Sequence, residues 1–167
     1  MQSGMPHPSD DGGEGRKAPS RPWDVPGFSS WLSVVKAHHA CEQALSEAMA
    51  PLGLSLSHYD ILANLEHSPD LPQRDLVARL LVGKSAVSMT LPDLERRGLI
   101  VRTRDAEDGR VRRLSLTHEG KALTARALAL HAEIVALMME AGDKQAAEAV
   151  EAAMVRIYAA LKAARRR

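Results

Sequence analysis

The chain has a single cysteine, Cys41, so no disulfide can form within it, and this fits a reducing cytoplasm. Aromatic residues are almost as scarce: two tryptophans, two tyrosines and one phenylalanine make up 3% of 167 residues. The core must therefore be built from leucine, valine, isoleucine, alanine and methionine. No stretch of about 18 consecutive apolar residues occurs, so no membrane span is expected. The N-terminus lacks the apolar centre of a secretion signal. Catalytic signatures are missing as well: there is no Gly-x-Ser-x-Gly elbow and no His-Glu-x-x-His pair. Gly83-Lys84-Ser85 imitates the end of a phosphate-binding loop. Ala78 stands where that loop needs glycine, however, and a helix rather than a strand precedes it. The chain reads as a non-enzyme without cofactor or metal.

What is present, 45% apolar residues at a net charge of +1, suffices for one ordinary domain. The pattern is densest over residues 71–120. Residues 73–81 have helical spacing, with Leu76, Val77, Leu80 and Leu81 inward. Residues 85–97 repeat it, with Ala86, Val87, Thr90, Leu91 and Leu94 inward and Lys84, Ser85, Ser88 and Met89 outward. Gly83 lets the backbone turn sharply between them. Two short helices across such a turn are the helix-turn-helix signature. Gly98 stops the second helix. Residues 99–103 are β-branched and apolar and read as a strand. Residues 105–109 are a turn, with Asp108-Gly109 as its hairpin signal, residues 110–116 return as a second strand, and Thr117 caps a long helix. The expected fold is mainly α with a small β-wing: a winged helix-turn-helix lobe over residues 56–117, beside a set of longer helices.

Charge is concentrated in the same place. Residues 74–113 carry ten basic against six acidic side chains, a surplus of four where the whole chain has one. Lysines and arginines so clustered would neutralise phosphates and release counterions. Serines at the start of the second helix suit phosphate or base-edge hydrogen bonds, and that helix start adds free N–H groups.

Five groups of residues then carry a resemblance. They are Gln73-Arg74-Asp75-Leu76-Val77-Ala78, Ser85-Ala86-Val87-Ser88, Leu94-Glu95-Arg96-Arg97-Gly98-Leu99-Ile100, Asp108-Gly109-Arg110 and Leu116-Thr117-His118-Glu119-Gly120. Together they resemble the MarR family of winged-helix transcription regulators, the last two groups most specifically. The resemblance implies that Arg110 enters a minor groove from the wing tip and that Asp108 orients it. A narrow groove concentrates negative potential and attracts a guanidinium. The DNA-contacting set becomes Arg74, Lys84, Ser85, Ala86, Ser88, Met89, Arg110 and Arg112, with Asp108 in support. The resemblance further implies a symmetric homodimer on a two-fold operator of double-stranded DNA, a repressor released by a small aromatic ligand. Trp31, His38, His39, Tyr59 and Arg113 are the pocket candidates. Three positions depart from the family pattern. Met89 stands where many members carry an arginine able to reach guanine, and it could instead touch a thymine methyl. Pro92 lies inside the recognition helix, where proline costs roughly 3 kcal/mol, so a kink is expected. Pro72 replaces the usual threonine before the first helix, where proline is acceptable.

The flanks are simpler. Residues 1–27, with five prolines and five glycines, are expected to be a disordered tail whose Arg16, Lys17 and Arg21 could reach DNA. Residues 28–167 read as one domain, and the resemblance implies that 28–50 and 118–164 are dimerisation helices. The first carries a stripe of Trp31, Val34 or Val35, His38, Cys41, Leu45 and Ala48 or Met49. Pro51 and Gly53 end it, and Ser57 caps a helix over 58–67. Leu123, Ala127, Leu130, Ile134, Leu137 and Met138 stripe the long helix to residue 141. After Gly142-Asp143, Ala146, Val150, Met154, Ile157 and Leu161 stripe the last one. Two other functions fit the residues: redox or metal sensing through Cys41 and nearby histidines, and a helical dimer that binds protein rather than DNA.

Overall fold

A computed structural model describes residues 21–80 and 84–165, with side chains placed for 21–80 and 87–165. The expected disorder of residues 1–20, the turn at 81–83, the side chains of Lys84, Ser85 and Ala86, and the Arg166-Arg167 end lie outside the described residues. The chain divides into two compact units, residues 1–38 and 39–167.

The described part of the first unit is a 3-10 turn, Pro22–Asp24, followed by the start of α1 (Phe28–Met49). Residues 21–27 are thus not the disordered end of a tail. Proline at the first turn position fixes φ, and Arg21 Nε meets Asp24 Oδ2 at 2.9 Å across it.

The second unit holds the rest of α1, then α2 (Leu56–His67), β1 (Leu71–Pro72), α3 (Gln73–Arg79), α4 (Lys84–Arg96), β2 (Ile100–Arg104), β3 (Arg112–Leu116), α5 (His118–Glu140) and α6 (Lys144–Ala164). The strands form one antiparallel sheet in the order β1-β3-β2. β1 is an addition to the expected two-stranded wing. Leu71 pairs with Leu114 and Pro72 with Arg113, so Pro72, which stands just before α3 as the sequence predicts, also ends a strand. The cap of α2 also moves. Ser55, not Ser57, accepts the His58 N–H at 3.2 Å, while the His58 Nδ1 accepts the Ser55 N–H at 3.2 Å, a reciprocal capping box with histidine in the usual glutamate place. Pro92 does not end α4, which runs on to Arg96 with the proline ring exposed on its outer side.

Periodicity explains what is buried. Val87, Leu91 and Leu94 of α4, Leu76 of α3, Ile61, Leu62 and Leu65 of α2, and Leu114 of β3 fill one core, joined by Met49 from α1 and Ala127 from α5. Gly98 ends the recognition-helix region with φ +68°, a conformation open to glycine. Thr117 caps α5: its Oγ1 accepts the Gly120 N–H at 2.9 Å and donates to the Gly98 carbonyl at 2.6 Å. Gly120 follows for a steric reason. A Cβ there would sit 1.9 Å from the Leu99 carbonyl oxygen, so the helix can start against the sheet only without one.

By length and composition α5 is apolar enough to cross a membrane, with a mean hydropathy of 1.5. Counting consecutive apolar residues misses this, because isolated polar residues interrupt the run. Gly120, Thr124 and Ala127 on its first half pack into the lobe. Beyond them the apolar residues emerge: Leu137 and Met139 are exposed, as are Val150, Val155, Ile157 and Leu161 of α6, a helix with no buried residue.

Candidate nucleic-acid interface

Two elements build the surface, the outer side of α4 and the loop between β2 and β3. Burial of Val87, Leu91 and Leu94 turns Ser88, Met89 and Pro92 to solvent, and Met89 is 81% exposed. The positions of Lys84, Ser85 and Ala86 form the first turn of the same helix. Arg74 is exposed at the start of α3, with its Nε 3.4 Å from Asp75 Oδ1.

The wing loop is longer than the five-residue turn over 105–109 that the sequence predicts. The ladder ends at Arg104 opposite Arg112, which leaves residues 105–111 as a loop, and Gly109 does not have the positive φ of a primed turn. Two aspartates organise the loop instead. Asp105 Oδ1 accepts the N–H of Glu107 at 2.8 Å and of Asp108 at 2.9 Å, while its Oδ2 accepts from Arg113 Nε. These bonds, led by the Asp108 N–H and then the Arg113 guanidinium, hold the Asp105 carboxyl at about 2, below the usual carboxylate range. Asp108 Oδ1 accepts the Arg110 N–H at 3.0 Å, so it orients Arg110 through the backbone. Arg113 also reaches back to Asp70, donating to its carbonyl at 2.9 Å and its carboxylate at 3.2 Å. Asp70 itself has φ +57°.

These contacts divide the arginines into two sets. Arg102 pairs with Glu95 at 3.2 Å, Arg96 with Asp93, and Arg113 with Asp105 and Asp70, and Arg97 donates to the Gly53 carbonyl at 3.0 Å. Arg104, Arg110 and Arg112 are exposed and have no ion-pair partner among the described residues. Arg104 and Arg112 lie directly opposite in the ladder, where side chains share a face. Like charges so placed repel, and a polyanion laid across the wing relieves that repulsion.

The family model of the MarR family matches residues 52–111, from just before α2 to the wing loop. A helix-turn-helix transcriptional repressor from Mycobacterium bovis is 35% identical over 86 residues, 52% of this chain and 62% of that protein. The lobe over these residues is similar to that of MarR-family transcription regulators. Among solved structures, the transcriptional repressor CouR bound to a 23-mer DNA duplex is 26% identical with a TM-score of 0.69, covering 81% of this chain and 94% of CouR. PcaV, a transcriptional regulator from Streptomyces coelicolor solved with its natural ligand, is 25% identical with a TM-score of 0.63, covering 86% of this chain and 97% of PcaV. The family match stops short of Leu116-Thr117-His118-Glu119-Gly120, which therefore stands on its own geometry: a capping threonine and a glycine pressed on a carbonyl.

The expected ligand-pocket residues lie in different surroundings. Arg113 is committed to the wing, held by Asp105 and Asp70. Tyr59 is buried, its hydroxyl bonded to His131 Nδ1 and its ring edge-on to the same imidazole at 5.3 Å between centroids. His39 is exposed, and Trp31 and His38 belong to the first unit, where Trp31 is 56% exposed. Cys41 is half-buried as a free thiol. Among the described residues no three histidine, cysteine, aspartate or glutamate side chains gather to hold a metal ion. Sequence reasoning missed Asp105, Asp70 and His58. A signal existed for Asp105 alone, an aspartate opening a turn and able to cap the N–H groups two and three residues on.

Proposed function

We propose that this chain is a MarR-family repressor that acts in the cytoplasm as a two-fold homodimer on double-stranded DNA. Each subunit lays the Ser85 end of α4 in the major groove, with Lys84, Ser85, Ala86, Ser88 and Met89 toward the bases and phosphates. Arg74 and Arg112 contact backbone, and Arg110 reaches the adjacent minor groove. The observation that carries this reading is the end of the sheet: three exposed arginines without carboxylate partners, two of them opposed across the ladder. CouR, seen on a DNA duplex, supports the same mode of binding. The exposed apolar residues of α6 and the end of α5 support the dimer, since a monomer leaves them in water. The ligand-bound PcaV supports release by a small molecule, which acts by favouring a dimer whose recognition helices are wrongly spaced.

The test is binding to the intergenic DNA beside the chain's own gene, with specific and scrambled duplexes, titrated in salt. Sequence-dependent binding with a steep salt slope is expected. Arg110→Ala should weaken it by roughly 1–3 kcal/mol. Equal affinity for scrambled duplexes, or an unchanged Arg110→Ala variant at fixed salt, would overturn the reading.

A further inference from the structure

Met89 is the most exposed large apolar side chain among the described residues, at 81%. The other exposed large apolar side chains lie on α1, α5 and α6, beside the Pro22–Asp24 turn, or, for Val101, on β2. Met89 stands in the middle of the outward face of α4. Three residues on, and so on the same side of the helix, lies the exposed ring of Pro92. The polar side chains beyond it are engaged: Glu95 with Arg102 at 3.2 Å and Arg96 with Asp93. From residue 89 to the end of α4, the face therefore offers no uncommitted cation for the paired acceptors of a guanine edge.

We propose that Met89 is a specificity-determining residue that reads the C5-methyl group of a pyrimidine, thymine or 5-methylcytosine, in each half-site. This rests on the DNA-binding reading above. The chemistry is restrictive. A thioether has no donor and is a weak acceptor, so it cannot read a base edge by hydrogen bonds. The one apolar group that the four bases present in the major groove is the thymine methyl, and 5-methylcytosine places a methyl at the same position. An unbranched, polarisable side chain packs on such a group without demanding one geometry. Pro92 alongside widens the apolar contact.

The experiment selects duplexes from a random-sequence pool with the full chain. Each thymine of the selected sequence is then replaced by deoxyuridine, which removes only the methyl. One thymine per half-site should lose about fourfold in affinity on this change, the worth of one buried methyl-sized group. Cytosine and 5-methylcytosine at that position should differ in the same sense. Met89→Ala should abolish both differences and Met89→Leu should retain part of them. Arg110→Ala should keep them at lower overall affinity. The inference is overturned if wild-type chain binds thymine and uracil duplexes equally at every position, or if the methyl dependence survives in Met89→Ala. If no duplex is preferred in the selection, the DNA-binding reading itself falls, a distinct result from selective binding that ignores the methyl.

Discussion

Gly120→Ala puts the junction between sheet and α5 to the test. In an exposed helix interior this change is worth nearly 1 kcal/mol of stabilisation, because alanine restricts the unfolded chain and favours helix. Here the new Cβ would lie 1.9 Å from the Leu99 carbonyl oxygen and 2.9 Å from its carbon. The obstacle is backbone, so no side chain can swing aside. Relief requires α5 to back away from the strand. That motion stretches the Thr117 N–H bond to the Leu99 carbonyl, 3.1 Å, and the Thr117 hydroxyl bond to the Gly98 carbonyl, 2.6 Å. Each such bond is worth about 1 kcal/mol net, and overpacking a tight contact costs about 1–3 kcal/mol. Against the helix-propensity gain, a net loss of roughly 2–4 kcal/mol is expected by urea denaturation followed by circular dichroism. Gly142→Ala is the control, since a Cβ there meets nothing within 4 Å and its φ is not positive. A Gly120→Ala chain as stable as wild type would mean that α5 does not start pressed against Leu99.

Three further outcomes are expected. Burial, then the Arg97 guanidinium, hold His58 below the usual histidine range against the opposing pull of Asp93. The unfolded chain therefore takes up that proton more readily, and the stability linked to neutral His58 is present above pH 6.5 and lost as the pH falls below it. In His58→Gln the rise in stability with pH across that window should flatten, and an unchanged slope in urea titrations would refute the linkage. Asp105 is depressed to about 2 from 3.8, so its hold on the wing is complete above pH 3.8 and fades as the pH drops toward 2. At neutral pH, Asp105→Ala should speed hydrogen exchange at the Glu107 and Asp108 amides; protection equal to wild type would show that their bonds to Asp105 do not hold the loop. Replacing exposed Ile157 and Leu161 of α6 by glutamate should yield monomers in sedimentation velocity, whereas persistent dimers would place the subunit contact elsewhere.

Local chemistry made most of the lobe legible. Val87, Leu91 and Leu94 fall on the buried side of α4 as their spacing predicts, Gly98 takes the left-handed conformation and Thr117 caps α5. The misreadings come from interactions between distant residues. Leu71 and Pro72 look like a loop feeding a helix, and only the arrival of Leu114 and Arg113 from forty residues on makes them a strand. Ser55 and Ser57 are equally good caps in isolation, and His58 decides for Ser55 by completing the box and reaching Asp93 at 3.2 Å. The wing failed differently. The sequence predicts a turn over 105–109, but Asp105 captures two loop N–H groups and an arginine at once, and the loop runs on to residue 111. Arg113 looked available to a ligand because its two carboxylate partners lie eight and forty-three residues away.

The surplus of basic charge over residues 74–113 fixed a sign without fixing a place. The fold spends the acidic residues on particular arginines: Asp93 on Arg96, Glu95 on Arg102, and Asp105 together with Asp70 on Arg113. Those acids do not oppose a polyanion so much as remove framework arginines from competition for it. What remains uncommitted, Arg104, Arg110 and Arg112, lies at one end of the sheet, and the ladder holds Arg104 and Arg112 face to face. Ionic strength then acts in two directions. In the free protein, screening weakens the repulsion between the opposed arginines and so steadies the wing. In the complex, the same salt competes with counterion release and weakens binding. The wing thus stores a small electrostatic cost when alone, and in the proposed complex phosphates at the same positions would discharge it, which makes this end of the lobe more complementary to a polyanion than its net charge implies.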